Sequence, residues 1–448
     1  MITKNFFISR RSFLKRCSLA AAATGLPAWF IERDFAGAAP ASDIAPNDRI
    51  SIALIGCGGQ GRSDANYARQ KGAEILAVCD VDDTHAAAAA EQFTTDGKAP
   101  DKYNDVRKVM ERGDIHVIIN GTPDHWHTLV NIAAANARKD VYGEKPLTLT
   151  IDEGHHVVRA VRKNKIVFQT GTQQRSSGRF RLACELVRNE RIGKLKQITV
   201  WLPAGLRQGP FSSKPVPDGL NWDFWQGQTH TVDYVPQRCH VTFRFWYDYS
   251  GGTMTDWGAH HNDIARWALG LDGPVSIEGT PLTQPIPGGY TAFSDYEVNF
   301  TYANGVRQTV KTTPDDTIYG GIVNENGQRN GIKFEGANGW IWVNRSEIQA
   351  SDDALLSTPL PAGAQRLQVS NDHMQNFFDC VRSRQSPVAD VEIGHRSASI
   401  CHLGAIALRT GRKLDWDPER EKFTGEGAHE NNKWLVREMR KPFDYHFA

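Results

Sequence analysis

"IALIGCGGQGRSDANYA", residues 52–68, decides the fold. An aliphatic, β-branched run ends at Gly56-x-Gly58-x-x-Gly61, and a helix-compatible stretch follows at once. In such a strand–loop–helix unit each glycine has a task. Gly56 permits the tight turn, Gly58 lets a pyrophosphate approach the backbone, and Gly61 lets helix and strand pack closely. Gly59 and Gln60 belong to the same loop, and the helix N-terminus faces the phosphates. Alone, the loop would equally suit a glycine turn with no ligand. The next strand, "AEILAVCD", removes that ambiguity, because it ends in Asp80, nineteen residues after Gly61, where a carboxylate can bond a ribose diol. Val81-Asp82-Asp83 follow, with no arginine close by to hold a 2′-phosphate, so electrostatics favour NAD over NADP.

Working outward, "THAAAAAEQF" is strongly helical and "IHVIIN" is a continuous apolar run of the kind buried on both faces of a parallel sheet. Strands separated by helices predict an α/β doubly wound parallel sheet over residues 49–171, a Rossmann domain. Beyond it the texture changes. "LKQITVWLP", "YEVNFTYANGVRQTVKT" and "IKFEGANGWIWVN" alternate, with hairpin turns at Ala303-Asn304-Gly305 and Ala337-Asn338-Gly339. Residues 172–445 therefore read as a second α/β domain with a mostly antiparallel open sheet. The Pro-, Gly- and aromatic-rich segment 205–228 reads as an ordered loop over a site. Two amphipathic helices close the chain.

Whole-chain properties set outer bounds. At 448 residues, two domains are the natural expectation, and 40% hydrophobic with 23% charged residues suits a soluble globular protein. A net charge of +1 without single-sign runs gives no reason to expect nucleic acid or an anionic membrane surface as partner. No apolar run after residue 38 is long enough to span a bilayer.

The N-terminus carries an address. Ser9-Arg10-Arg11-Ser12-Phe13-Leu14-Lys15 fills the twin-arginine export pattern, "LAAAATGLPAW" is a weakly apolar core, and Ala36-Gly37-Ala38 offers a cleavage site. Residues 1–38 are accordingly expected to be a twin-arginine signal peptide with no part in the fold. The protein is expected in the periplasm, with the export machinery as a partner and 39–48 as a flexible lead-in; a ragged basic arm is the plainer alternative. The seven cysteines form no C-x-x-C pair, which predicts free thiols and no metal site.

Three further stretches carry the chemistry. "NGTPDHWHT" places Asn120, Thr122, Pro123 and His127 at the carboxyl edge of the first sheet, where open α/β folds bind ligands, and "YGEKPLT" brings Glu144 and Lys145 to the same edge. "SGGTMTDWGAHHNDIARWALG" sets Asp256 and His260 four residues apart, on one helical face. Each has a plain alternative: a helix cap for Asp256, an exposed lysine before a turn for Lys145, a satisfied core histidine for His260.

In this combination the sequence resembles the Gfo/Idh/MocA (glucose–fructose oxidoreductase/inositol dehydrogenase) family, over essentially the whole chain from Arg49. The resemblance implies a Rossmann domain, a second α/β domain whose open sheet often mediates homo-oligomers, and a catalytic group of Lys145, Asp256 and His260. Residue chemistry agrees. Oxidising a secondary alcohol needs a base for the hydroxyl proton as hydride leaves the same carbon. Imidazole suits that role, with Asp256 orienting it and Lys145 stabilising alkoxide charge or sharing the base role. Arg175, Trp222, Arg244 and Tyr249, with Trp225 and Trp246, are candidate substrate contacts. His261 is another, although helical geometry turns it from His260's face. His155 and His156 read as solvated.

The expected activity is therefore NAD(P)-dependent hydride transfer to or from a sugar or polyol alcohol. Free NAD is not expected outside the cytoplasm, so an exported NAD protein must keep its nucleotide and regenerate it. Reduction of a second sugar, an oxidation–elimination–reduction cycle as in NAD-dependent glycosidases, or an external acceptor would each do so. A catalytically silent sugar-binding protein is the alternative from another class.

Overall fold

The structure is a computed structural model that describes residues 10–37, 49–312 and 330–447. Ser9 of the export pattern, Ala38 of the cleavage site and the lead-in 39–48 lie outside the described residues. Two helices, α1 (Arg10–Thr24) and α2 (Ala28–Gly37), precede the first strand.

The first domain is a six-stranded parallel sheet in the order β3-β2-β1-β4-β5-β6. Its strands are β1 (Ser51–Ile55), β2 (Glu74–Cys79), β3 (Asp101–Tyr103), β4 (Val117–Asn120), β5 (Asp140–Gly143) and β6 (Phe168–Thr170). Helices α3 (Gly59–Gln70), α4 (Asp83–Gln92), α5 (Val106–Met110), α6 (Asp124–Asn136) and α7 (Ile151–Asn164) cross between them. The continuous apolar runs are explained by burial on both faces: every residue of β1 and β4 is buried. Chain order reverses at β1, which pairs with β2 on one side and β4 on the other. The crevice beyond the carboxyl ends of β1 and β4 is thus the place for a ligand.

The second domain is a nine-stranded sheet ordered β13-β12-β11-β7-β10-β9-β8-β14-β15, in which only the β7–β10 pair is parallel. The strands are β7 (Leu195–Leu202), β8 (Ser276–Pro281), β9 (Tyr296–Thr301), β10 (Arg307–Thr312), β11 (Gly331–Gly336), β12 (Trp340–Val343), β13 (Ile348–Ala350), β14 (Leu414–Asp417) and β15 (Lys422–Thr424). Both predicted hairpins are present, β9–β10 and β11–β12. Residues of β9 and β10 alternate as a sheet with one covered face requires: Val298, Phe300, Gln308 and Val310 are buried, while Asn299, Thr301 and Arg307 point outward. Helices α8 (Gly178–Arg188), α9 (Trp222–Gln226), α10 (Trp257–Leu269), α11 (Ala354–Ser357), α12 (His373–Ser383) and α13 (Val391–Thr410) complete the layer and its loops.

Two features depart from the linear reading. The terminal helices return to the first domain: Met374, Phe377 and Phe378 of α12 enter the core beneath β1, and Val391 and Ala398 of α13 pack with β4 and α6. The later residues Ile400, Leu403 and Ile406 belong to the second core, so α13 is shared by both domains. The N-terminal helices are also not a bystander: Cys17, Leu26, Phe30 and Ile31 lie in the second domain's core. All seven cysteines are buried free thiols, as expected for this pattern.

The glycine loop is the tightest point of the first domain. Gly56 has φ +83°, and a side chain on Gly61 would collide with the Gly56 carbonyl oxygen. Gly61→Ala is expected to lower the melting temperature by several degrees and to abolish nucleotide binding, measured by thermal denaturation and by titration with NAD; an unchanged melt would show that the helix–strand contact is looser than described.

Candidate active site

The crevice is a cavity of about 400 Å³ lined by the glycine loop, Asp80, Thr122, Pro123, His127, Glu144 and Lys145 from the first domain. Phe224, Trp225, His240, Phe243 and Arg244 of the loop before α10 close it from above. Ligand cavities of this kind are typically a few hundred cubic ångströms with a few converging polar groups.

One end fits the phosphates and ribose of a dinucleotide. The N-cap of α3 is Gly58, with no side-chain cap, so the amides of the first turn are left for a ligand, and Gly58 and Gly59 have open space where a Cβ would stand. The Asp80 carboxylate is fixed by the Cys57 amide at 2.7 Å and the Asp82 amide at 3.0 Å, which aims it from the end of β2. Asn120 does not line the cavity. Its Oδ1 accepts from the Thr122 hydroxyl at 2.7 Å and its Nδ2 donates to Asn131 at 2.8 Å, bracing the edge loop. His127 is locked between the carbonyls of Pro146 (2.6 Å) and Thr122 (2.9 Å). Gly61 likewise serves packing and lies off the cavity wall.

The other end is lined by Lys145 and Arg244, with Asp256 and His260 behind its wall. Lys145 Nζ donates to Asp256 Oδ1 in a short contact, and Arg244 Nε donates to the same oxygen at 3.3 Å. Asp256 stands at the start of α10 but makes no capping bond with its side chain, so the plain reading of it as a helix cap fails. Burial alone would raise its pKa, yet the Lys145 and Arg244 charges outweigh burial and hold it below the usual carboxylate range. His260, one turn along α10, is buried with Nδ1 unpartnered; Asp256 is taken by Lys145 and Arg244 and, against the expectation from the sequence, does not orient it. Burial first, then the charges of Lys145 and Arg345, push its pKa well below the usual value. It is therefore neutral near pH 7, the form a proton acceptor needs.

Several residues here carry no readable sequence signal. Gln174 donates to the His260 carbonyl at 3.0 Å and accepts from Arg345 Nε at 3.1 Å. Arg345, from the β12–β13 turn, lies over the Trp257 ring at 4.6 Å. Asp64 of α3 is buried beside Glu144, and burial plus that neighbouring carboxyl holds its pKa well above normal. His240 reaches Asp82 at 3.2 Å and packs on the His85 ring at 4.4 Å, with His85 in turn 3.7 Å from Asp80. Ligand atoms of Asp82, His85 and His240 lie within 4.8 Å of one another, a spacing a metal ion would also accept. His155 forms a comparable group with His395 and Glu421 and is only partly solvated.

The candidate substrate contacts divide. Arg244 and Trp225 line the cavity. Arg175 does not: it is buried in a two-bond ion pair with Asp263 (2.7 and 2.8 Å) and stacks over Trp267. Trp222 stacks on Trp225, with its Nε1 donating to the Val232 carbonyl. Tyr249 is wholly buried, packed against His125 and Trp225, and Trp246 lies in the same aromatic cluster. His261 points away from the charged end, against Trp257 and Phe180.

Against known families, residues 50–172 match the oxidoreductase family's NAD-binding Rossmann fold, and residues 201–445 match the Gfo/Idh/MocA oxidoreductase family's C-terminal alpha/beta domain. The chain is 30% identical over 158 residues to a glycosyl hydrolase family 109 protein of Shewanella sp. (strain ANA-3), covering 32% of this chain and about a third (35%) of that relative's length. It is 26% identical over 297 residues to the levoglucosan dehydrogenase of Pseudarthrobacter phenanthrenivorans, covering 60% of this chain and 66% of the relative. The WlbA dehydrogenase of Bordetella pertussis, solved with NADH and UDP-GlcNAcA, shares the fold with TM-score 0.60 at 17% identity, over 82% of this chain and 99% of that one.

Glu144 gives the site a measurable pH signature. Burial pushes its pKa from 4.5 up to about 7, with Lys145 opposing. Between these values the folded protein holds a proton that the unfolded chain has released. The associated stability is present below about pH 4.5 and is lost as pH rises through 7. Glu144→Gln, which cannot ionise, is expected to stabilise the protein relative to wild type at pH 8 by on the order of 2 kcal/mol and much less at pH 5. Chemical denaturation at the two pH values checks this; a difference independent of pH would refute it.

Proposed function

Because the chain belongs to the Gfo/Idh/MocA oxidoreductase family and carries its NAD-binding Rossmann fold, we propose that it moves a hydride between a secondary alcohol of a sugar or polyol and a nicotinamide. The observation that carries this reading is the Lys145–Asp256 contact at the cavity end, with a neutral His260 one helical turn away. The polar groups fit a dinucleotide: uncapped amides at α3 for phosphates, Asp80 for a ribose diol, and the Thr122–Pro123 edge with Glu144 toward the nicotinamide end. When bound, the nicotinamide accepts or returns the hydride. The chain supplies the rest. Lys145 hydrogen-bonds the substrate oxygen and stabilises its developing charge, His260 takes the hydroxyl proton, and Asp256 holds Lys145 in place. NAD is favoured over NADP because Asp80 and Asp82 would repel a 2′-phosphate.

The roof supports a tightly held nucleotide. The segment before α10 docks on the first domain through Asn221 N to the Val81 carbonyl (2.9 Å), Asp83 N to the Gly219 carbonyl (2.9 Å) and His240 to Asp82. These contacts lie beside Asp80, where they would cover the ribose of a bound nucleotide and slow its release. We further infer periplasmic export of the folded, loaded protein through the twin-arginine pathway, on the strength of the Arg10-Arg11 pattern. We also infer a homo-oligomer built through the outer face of the nine-stranded sheet, which carries Trp201, Trp340 and Trp342. The partial similarity to a family 109 glycosyl hydrolase favours, as a second reading, glycoside cleavage through transient sugar oxidation.

Purified protein is expected to carry nicotinamide nucleotide, seen by mass spectrometry after denaturation, and to change absorbance at 340 nm on addition of its sugar. Lys145→Ala and His260→Ala are expected to keep the nucleotide and lose that change; unimpaired reduction in either would refute these roles. Aglycone release without net reduction would select the glycosidase route. His240→Ala is expected to speed nucleotide release at least tenfold, read by dilution into excess unlabelled NAD; an unchanged rate would refute the roof as the retaining element.

A further inference from the structure

The helices before the first strand make contacts that a removable leader does not need. Phe30 is wholly buried in the second domain's core, alongside Leu26 and Ile31. Gly178, at the start of α8, provides the space for Leu26: a Cβ there would stand 2.9 Å from Leu26 Cδ1. Polar bonds fix the same segment at separate points. Arg181 of α8, with no solvent exposure, is held by both carboxylate oxygens of Asp34, and its guanidinium lies 4.6 Å above the Phe30 ring. Arg33 donates to Glu185 at 2.7 Å, Trp29 Nε1 to the Leu356 carbonyl at 3.0 Å, and Arg179 to the Thr24 carbonyl at 2.7 Å.

We infer that Leu26–Asp34 is a permanent strap on the second domain, retained in the mature protein, so that the chain does not begin at Ala39. Removal at Ala38 would strip Arg181 of its carboxylate. It would also take Arg33 from Glu185, leaving Arg181 only that carboxylate, 3.9 Å away and still bonded by Arg366 and the Leu367 amide. The apolar floor that Leu26, Phe30 and Ile31 cover would be opened to water at the same time. The residue at the end of α1, just before the strap, is linked to the site. Arg179 bonds both Thr24 and the Arg345 carbonyl (3.2 Å), and Arg345 holds Gln174 against the His260 backbone. Only this last link rests on the proposed redox reading.

Intact mass and N-terminal sequencing of the exported protein are expected to place the first residue at or before Leu26. A mature start at Ala39 would overturn the strap. Finding the protein only in the cytoplasm would overturn export alone, and the strap is then decided by melting. Phe30→Ala and Asp34→Asn are expected to lower the melting temperature by about 5 °C or more, while Leu19→Ala, on the exposed side of α1, leaves it unchanged. A chain beginning at Ala39 is expected to melt lower still or fail to fold. Wild-type melting of that chain, or of both strap variants, would overturn the proposal.

Discussion

The contact between Lys145 and Asp256 is the constraint around which the rest is arranged. One partner follows β5 of the first domain, and the other opens α10 of the second. A charge pair is worth keeping in a partly desolvated crevice only when geometry is held closely, because each ion loses hydration on entering it. The two domains must therefore be registered against each other. The return of α12 and the shared α13 provide that registration: one long helix contributes to both cores, so neither domain can slide without disturbing packing in the other. Arg244 adds a second cation to Asp256, leaving the site net positive where an alkoxide would develop.

Most of the fold was legible because periodicity reports burial directly. Continuous apolar runs correspond to strands buried on both faces, and alternating runs to a sheet with one covered face. The dinucleotide loop was legible for a related reason, since its glycines answer local steric demands that any neighbour would impose. What escaped the sequence has long-range causes. Arg175 reads equally as a ligand for substrate or for Asp263, and eighty-eight positions separate it from the residue that claims it. Gln174, Arg345 and Asp64 acquire meaning only when three distant segments converge behind His260 and Glu144. Tyr249 and Trp222 are aromatic in a place that needed a roof, and a roof's inner surface is packed like a core.

The N-terminal segment illustrates a different ambiguity. A weakly apolar, small-residue helix satisfies both an export pathway and a groove on a folded domain, because each asks only for modest hydrophobicity and helical propensity. Pattern matching detects the first use. The second is written in the receiving surface, in Gly178, Arg181 and Glu185, and cannot be read from residues 10–37 alone.

Retention of nucleotide and docking of the strap share one requirement. The roof over the crevice forms only when the second domain is folded against the first, and the strap docks only on a completed second domain. On the proposed reading, both the roof and the strap need a folded second domain, and a nucleotide loaded in the cytoplasm would be covered there. The proposed export of folded cargo would carry such a crevice closed, whereas threading of an unfolded chain would deliver it open.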